Sequence, residues 1–325
     1  MLNPLDSKIL HALHIDSRAS FRRIGQVVGV SPQTVTRRYA ALRADASLRV
    51  LGRTQPYAVG EEEWFLRVRC APETTEAVAR ALARHAETVW THVTSGGTEI
   101  VCTTRNREGA DPLLLRNLPR TPRVTSVSAQ CLLYSYYGGP ENPVDKVGPL
   151  TPEQVAALAV PARAPHPTAL SAVDRAILAV LYDDGRASNQ ELATAAGCSP
   201  STAHRRVAEL RESGALYFDL DYDPRVLRRS RLAMLWVSVS PAHLEEAGRA
   251  LAGHEEVSFA ASTTGPTNLY AAVTCAGNRA LHAYLTGPVA ALPGVTQVES
   301  APVTRTLKRA GRVMERDLTT RDTSR

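Results

Sequence analysis

Apolar residues near the start of the chain recur at helical spacing: Leu5, Ile9, Leu10 and Leu13 mark one face of a first helix. Ser20 then stands as an N-cap ahead of Ile24, Val27 and Val28, and Gly29 supplies the turn that ends this second helix. Ser31-Pro32 opens a third helix, with serine as cap and proline at the first helical position, where a missing N–H costs nothing. It is expected to run to about Asp45, with Val35, Tyr39 and Leu42 inward and Gln33, Thr34, Thr36, Arg37 and Arg38 outward. The pattern returns later in the chain: Ile177, Leu178 and Leu181, then Ser188, Leu192 and Gly197, then Ser199-Pro200, Val207 and Leu210. Its outward set is Ser201, Thr202, His204, Arg205 and Arg206.

After each helical triplet the periodicity changes to alternation, predicting strands around Trp64 to Cys70 and Leu232 to Val239. A proline and a helical run follow, Pro72 with Thr74 to His85 and Pro241 with Leu244 to His254. Two short strands come next, near Val89 to Thr94 and Ile100 to Thr104, matched by Val257 to Ser262 and Leu269 to Thr274. A second helix, about Asp111 to Leu118 and Arg279 to Leu292, leads to last strands from Val124 and Val295. Strand, helix, strand, strand, helix, strand is the split ferredoxin-like order. The predicted fold is therefore α+β: two copies of an N-terminal (winged) helix-turn-helix followed by a ferredoxin-like βαββαβ domain.

The expected boundaries are helix-turn-helix modules at 1–55 and 169–225, α+β domains at 60–136 and 230–308, and a basic tail at 309–325. Residues 137–168, rich in proline and alanine, are expected to form a linker with a short helix at Thr151 to Ala159. Lys308, Arg309, Arg312, Arg316, Arg321 and Arg325 follow Thr304 and are expected to be mobile or pressed on phosphate.

Leu5 to Arg43 aligns on Val173 to Arg211 without a gap, and about 17 of 39 positions are identical. The identities include Asp6/Asp174, Arg18/Arg186, Ser20/Ser188, Ser31/Ser199, Arg37/Arg205 and Arg38/Arg206, which marks a tandem duplication. The chain of 325 residues has a formal charge of +6, distributed unevenly. Up to Arg53, nine basic residues oppose Asp6, Asp16 and Asp45, whereas acidic residues offset the arginines of the second module. The two modules are thus expected to grip phosphate unequally. Cys70, Cys102, Cys131, Cys198 and Cys275 are scattered without a Cys-x-x-Cys pair, so neither a disulfide framework nor a metal site is expected. No apolar run approaches membrane-span length, and the protein is read as cytoplasmic, without a membrane partner.

The second copy carries a family pattern: Asp174-Arg175-Ala176-Ile177-Leu178, Asp184-Gly185-Arg186-Ala187-Ser188, Glu191-Leu192-Ala193, Gly197-Cys198-Ser199, Arg205-Arg206-Val207 and Leu210 with Gly214. In these residues the chain resembles the Lrp/AsnC (leucine-responsive and asparagine-type, feast/famine) transcriptional regulators. The first copy departs from the pattern at Ala46 and at Arg22-Arg23-Ile24. Gly97-Thr98-Glu99-Ile100 and Gly265-Pro266-Thr267-Asn268-Leu269 resemble the family's glycine-containing hairpin. The resemblance implies RAM/AsnC-type α+β domains that pair and hold an amino-acid effector. For a fused chain it implies an intramolecular pseudo-dimer that stacks into homo-oligomers.

Double-stranded DNA is then the expected partner. Ser31 and Ser199 cap the recognition helices, and Gln33, Thr34 and Thr36 with Ser201, Thr202 and His204 are the base-reading candidates. Arg37, Arg38, Arg205 and Arg206 are expected to position the phosphate backbone, with a bidentate guanine contact by either arginine of a pair as the alternative. Gly97, Thr98, Glu99, Gly265, Thr267 and Asn268 are the effector-site candidates, since glycine lets a ligand approach backbone groups closely. No cofactor and no enzymatic activity are expected. The alternative is a siroheme decarboxylase-like enzyme, which resembles these regulators in scaffold and would draw on His85, His92, His254 and His282. Of these, His92 lies on a predicted strand, but Ala260 takes its place in the second copy.

Overall fold

The computed structural model describes residues 3–45, 48–110, 116–139, 148–160, 164–222 and 231–314. The chain is a mixed α+β protein that divides into two compact units, Met1–Gly60 with Gly139–Arg228 and Glu61–Gly138 with Arg229–Arg325. Chain order and spatial order therefore differ. Both helix-turn-helix modules lie in the first unit and both sheet domains in the second.

In the first unit, α1 (Pro4–Ile15), α2 (Phe21–Val28) and α3 (Pro32–Asp45) pack around Ile9, Leu13, Ile24, Val35 and Leu42. The Ser20 hydroxyl accepts the Arg23 N–H, and Gly29 ends α2 at φ 77°, a left-handed conformation that glycine adopts without a Cβ penalty. The second copy repeats this in α6 (Ala172–Asp183), α7 (Asn189–Ala196) and α8 (Pro200–Glu212), with Gly197 at φ 63°. Each triplet is followed by a strand absent from the periodicity reading, β1 (Arg49–Thr54) and β6 (Leu216–Asp221). These two strands pair antiparallel with each other, from Arg49 opposite Asp221 to Thr54 opposite Leu216. Gly52 of β1 admits α6 at close range, since a Cβ there would fall 2.8 Å from the Leu181 Cβ.

Arginines lock the module pair reciprocally. Arg18 donates to the carbonyls of Gly185 and Ala187 at 2.6 and 3.1 Å, and its repeat equivalent Arg186 donates to those of Ser17 and Ala19 at 2.6 and 3.0 Å. Arg186 also lies over the Phe21 ring at 4.5 Å. The segment read as a linker contributes α5 (Pro152–Leu158), whose Leu158 is fully buried in the first module's core and whose Gln154 donates to the Val27 carbonyl.

The second unit begins with β2 (Glu61–Cys70), α4 (Pro72–Arg84), β3 (Thr88–Thr94), β4 (Glu99–Arg107) and β5 (Val124–Tyr137). Its second half holds β7 (Arg231–Val239), α9 (Leu244–Gly253), β8 (Val257–Thr263), β9 (Leu269–Cys275), α10 (Asn278–Tyr284) and β10 (Val295–Arg309). The first-half helix expected at Asp111 to Leu118 falls mostly outside the described residues. In the second half the expected helix to Leu292 is α10 followed by a π-turn over Leu285–Val289, with Pro288 inside it.

The antiparallel strand orders are β3-β4-β2-β5 and β8-β9-β7-β10. The last strands are long because each serves both sheets. Beyond its own partner β2, β5 continues along β8, from Leu132 opposite Thr263 to Tyr137 opposite Ala260. Likewise β10 leaves β7 and runs along β3, from Val303 opposite Thr94 to Lys308 opposite Thr91. This corrects the expectation of a tail mobile or on phosphate from Thr304. Lys308 is buried in β10, donating to the His85 carbonyl and the Thr88 hydroxyl, and Arg312–Val313 forms a short β11 against β10. Arg316, Arg321 and Arg325 lie outside the described residues. Phe65, Val101, Met234, Trp236, Tyr270, Ala301 and Val303, drawn from both halves, form a shared core.

Arg18 and Arg186 repel each other, so alanine at either position removes carbonyl bonds but also relieves that repulsion. Each single substitution should cost about 2 kcal/mol in denaturant unfolding of the full chain, and the double substitution should cost more than the sum. Strict additivity would contradict the repulsion between the two guanidiniums.

Candidate nucleic-acid interface

The recognition helices α3 and α8 start from matching caps. Ser31 Oγ accepts the Thr34 N–H at 3.2 Å and Ser199 Oγ accepts that of Thr202 at 3.1 Å. The Thr34 and Thr202 hydroxyls bond back to these serines, Ser201 Oγ lies 2.9 Å from Ser199 Oγ, and Thr36 Oγ1 donates to the Pro32 carbonyl. Gln33 stays exposed in α3, and His204 is exposed in α8 with Nδ1 3.4 Å from Asn189 Nδ2.

The two arginines of each Arg-Arg pair face different tasks. Arg38 and Arg206, expected on phosphate, are turned inward onto carboxylates at the first turn of α1 and α6. Arg38 Nε donates to Asp6 Oδ1 at 2.6 Å and its Nη2 to Oδ2, while Arg206 donates to both oxygens of Asp174 at 2.7 and 2.6 Å. The physical reason is burial: Asp6 and Asp174 are 4% and 0% exposed and need a fixed cation. At Asp174 burial opposes ionisation, but hydrogen bonds from Arg206 and Ser171 outweigh it and hold the carboxyl below its usual range.

Arg37 is exposed and has no intrachain partner among the described residues, whereas Arg205 donates to Glu209 Oε1 at 2.6 Å. Much of the first module's positive charge is also internal. Arg23 donates to the Ala157 carbonyl and Arg49 to that of Asp183, while the buried Arg53 bonds the Tyr182 carbonyl and stacks on its ring at 4.0 Å. Arg22, Arg37 and Arg43 are left exposed without a carboxylate partner among the described residues.

At the hairpins, the expected ligand-contacting groups are engaged by the chain itself. Glu99, 2% exposed, accepts from Arg67, Arg69, Thr94 and Ser95. Arg67 also pairs with Glu299 at 2.6 Å and lies 3.8 Å from the Trp236 ring centroid. Thr98 Oγ1 donates to the Ser95 carbonyl beside Gly97, which sits at φ 98°. In the other hairpin, Gly265 at φ 102° backs onto Gln130, whose Nε2 lies 2.8 and 2.9 Å from the Thr267 carbonyl and hydroxyl oxygens. Asn268 clamps Val239, accepting its N–H at 2.9 Å and donating to its carbonyl at 2.8 Å. Sequence reasoning missed Arg67, Gln130 and Glu299, whose partners are distant in the chain. It took Glu209 only as charge offsetting the second module's arginines, although its spacing of one helical turn from Arg205 and Arg206 would have flagged the pairing.

His92 on β3 is buried, its Nδ1 3.0 Å from the Thr306 hydroxyl and its ring stacked on Trp90. Burial, reinforced by the Arg309 charge, pushes its pKa down to about 3. Of the other candidate histidines, His254 has its Nδ1 2.9 Å from the Tyr284 hydroxyl in the other half.

The chain matches the sequence profile of the AsnC-type helix-turn-helix domain twice, at residues 2–43 and 170–211, and that of the Lrp/AsnC ligand binding domain at residues 232–313. It is 30% identical over 140 residues to the HTH-type transcriptional regulator FL11 of Pyrococcus horikoshii, covering 43% of this chain and 92% of that relative. The chain belongs to the Lrp/AsnC family of helix-turn-helix regulators, with the DNA-binding module duplicated. Its fold also matches the crystal structure of the siroheme decarboxylase NirDL, with a TM-score of 0.68 and 15% identity over 96% of this chain and 94% of that one. The complex of that enzyme with an iron-uroporphyrin III analogue gives 0.66 and 16% over 95% and 93%. The expectation that the chain is not an enzyme is thereby overturned, since nearly its whole length shares an enzyme's fold. No described helix is long and apolar enough to cross a membrane.

Because the folded pKa of His92 lies below the unfolded value of about 6.5, the unfolded chain binds the proton first as pH falls. Stability should decline from about pH 6.5 toward pH 4 with a contribution of up to about 1.4 kcal/mol per pH unit. His92→Gln should flatten that slope in pH-dependent denaturation, and an unchanged slope would refute the assignment.

Proposed function

We propose that this protein is a sequence-specific DNA-binding transcriptional regulator whose two fused copies act as an intramolecular pseudo-dimer. Ferredoxin-like halves would be gated by an amino acid or related small metabolite and would mediate assembly into homo-oligomers. The observation that carries this reading is the exposed face of α3, where Gln33 and Arg37, without a partner among the described residues, follow the Ser31 cap of an AsnC-type module. A helix presented in this way offers base-edge donors beside a phosphate-seeking cation. Gating rests on the ligand-binding profile over residues 232–313, and a ligand at either hairpin would have to displace the internal bonds of Glu99, Gln130 or Asn268.

A second reading is a siroheme decarboxylase-like enzyme, and the near-full-length fold comparison favours it over the first. Siroheme would then be substrate. His92, neutral and hydrogen-bonded to Thr306, would serve in it as a polar contact and not as a proton donor at neutral pH.

The two readings separate in one set of assays on the full chain. The regulator should prefer its own upstream DNA over a scrambled duplex at about 150 mM salt, with amino acids shifting the affinity. Arg37→Ala should weaken this binding about fivefold and lower the salt slope by about 1. No preference for any genomic site, together with siroheme absorbance changes and CO2 release, would replace the regulator with the enzyme.

A further inference from the structure

The two modules match in backbone but not in available charge. Between residues 169 and 222 the basic residues are Arg175, Arg186, Arg205, Arg206 and Arg211, and each is engaged within the chain. Arg175 donates to the Leu170 carbonyl, Arg186 to Ser17 and Ala19, and Arg211 lies 3.7 Å from Asp16. The remaining two converge on one carboxylate. Glu209 takes Arg205 on Oε1 at 2.6 Å and Arg206 on Oε2, while Arg206 also holds Asp174. In the first module the position of Glu209 is Ala41, and those of the exposed Arg22 and Arg23 become Gln190 and Glu191 in the second. Among the described residues one copy thus keeps Arg22, Arg37 and Arg43 exposed and unpaired with carboxylates, and the other, over residues 169–222, keeps no basic residue without an internal partner.

We propose that Glu209 withdraws the second recognition helix from the DNA phosphates, so that each chain grips the duplex through its first module alone. This rests on the DNA-binding reading above. The second module then acts as the structural partner that holds the first, through the Arg18 and Arg186 bonds and the β1–β6 pairing. The contact follows ordinary electrostatics. A guanidinium held by a carboxylate on its own helix must give up that partner to neutralise a phosphate, so the net counterion release it brings is small. It follows that a single chain reads one half-site, and that two half-sites one helical turn apart call for two chains.

The test is the salt dependence of binding of the full chain to a random-sequence duplex of about 30 base pairs, read by fluorescence anisotropy. Glu209→Ala places in α8 the residue found at the same position of α3, and alanine favours the helix, so folding is retained. The variant should bind about fivefold more tightly near 0.15 M salt, with a slope steeper by about 1, and adding Arg205→Ala should remove that gain. Unaltered affinity and slope in Glu209→Ala, with Arg37→Ala still weakening the wild-type chain, would overturn the inference and leave the DNA-binding reading intact. No salt-dependent binding by the wild-type chain would overturn both.

Discussion

An antiparallel sheet leaves hydrogen-bonding groups exposed along its edges, and those edges must be paired or covered. Here each four-stranded sheet has one edge at β3 or β8 and a last strand longer than its own sheet can use. The duplication resolves both problems at once, because β5 extends along β8 and β10 along β3. The closed ring brings the faces of both halves onto one core, where Phe65 and Tyr270 lie with ring centroids 4.2 Å apart. The hairpin contacts depend on the same closure: Gln130 reaches the Gly265 turn from β5, and Glu299 on β10 reaches Arg67, which also holds Glu99.

Once two copies share one chain, equivalent positions can take unlike residues. Leu66 and Val68 face the core of the first half and Leu235 and Val237 that of the second, so Arg67 and Trp236 hold equivalent places in β2 and β7. They meet, and the guanidinium stacks on the indole. Two arginines there would repel, and two tryptophans would leave Glu99 and Glu299 only the more exposed Arg69 as a cation. The helix-turn-helix pair combines both tendencies. Symmetry is kept where the modules hold each other, at Arg18 and Arg186, and at the buried Asp6–Arg38 and Asp174–Arg206 pairs. It is lost on the outward faces, where Ala41 stands against Glu209.

The repeat, the three-helix modules and the strand–helix sequence were legible because apolar spacing and caps act locally. β1 and β6 were missed because each is stabilised by the other, more than 150 residues away, and not by its own alternation. The roles of the identical arginines were misjudged for a related reason. A sequence shows Arg18, Arg38 and Arg53 as charge, and only the fold shows carbonyls and carboxylates waiting for them. The invariance of Asp6/Asp174 together with Arg38/Arg206, at the same separation in both copies, was a usable sign of pairing. The hairpin glycines marked real turns, but the side chains filling them come from strands that local pattern cannot connect.

The most direct measurement is a hydroxyl-radical footprint of the full chain on its own upstream DNA, taken together with the number of chains bound. The structure predicts one protected half-site per chain, carried by the first module. Two equally protected half-sites under a single chain, or no protected segment at any concentration, would contradict it.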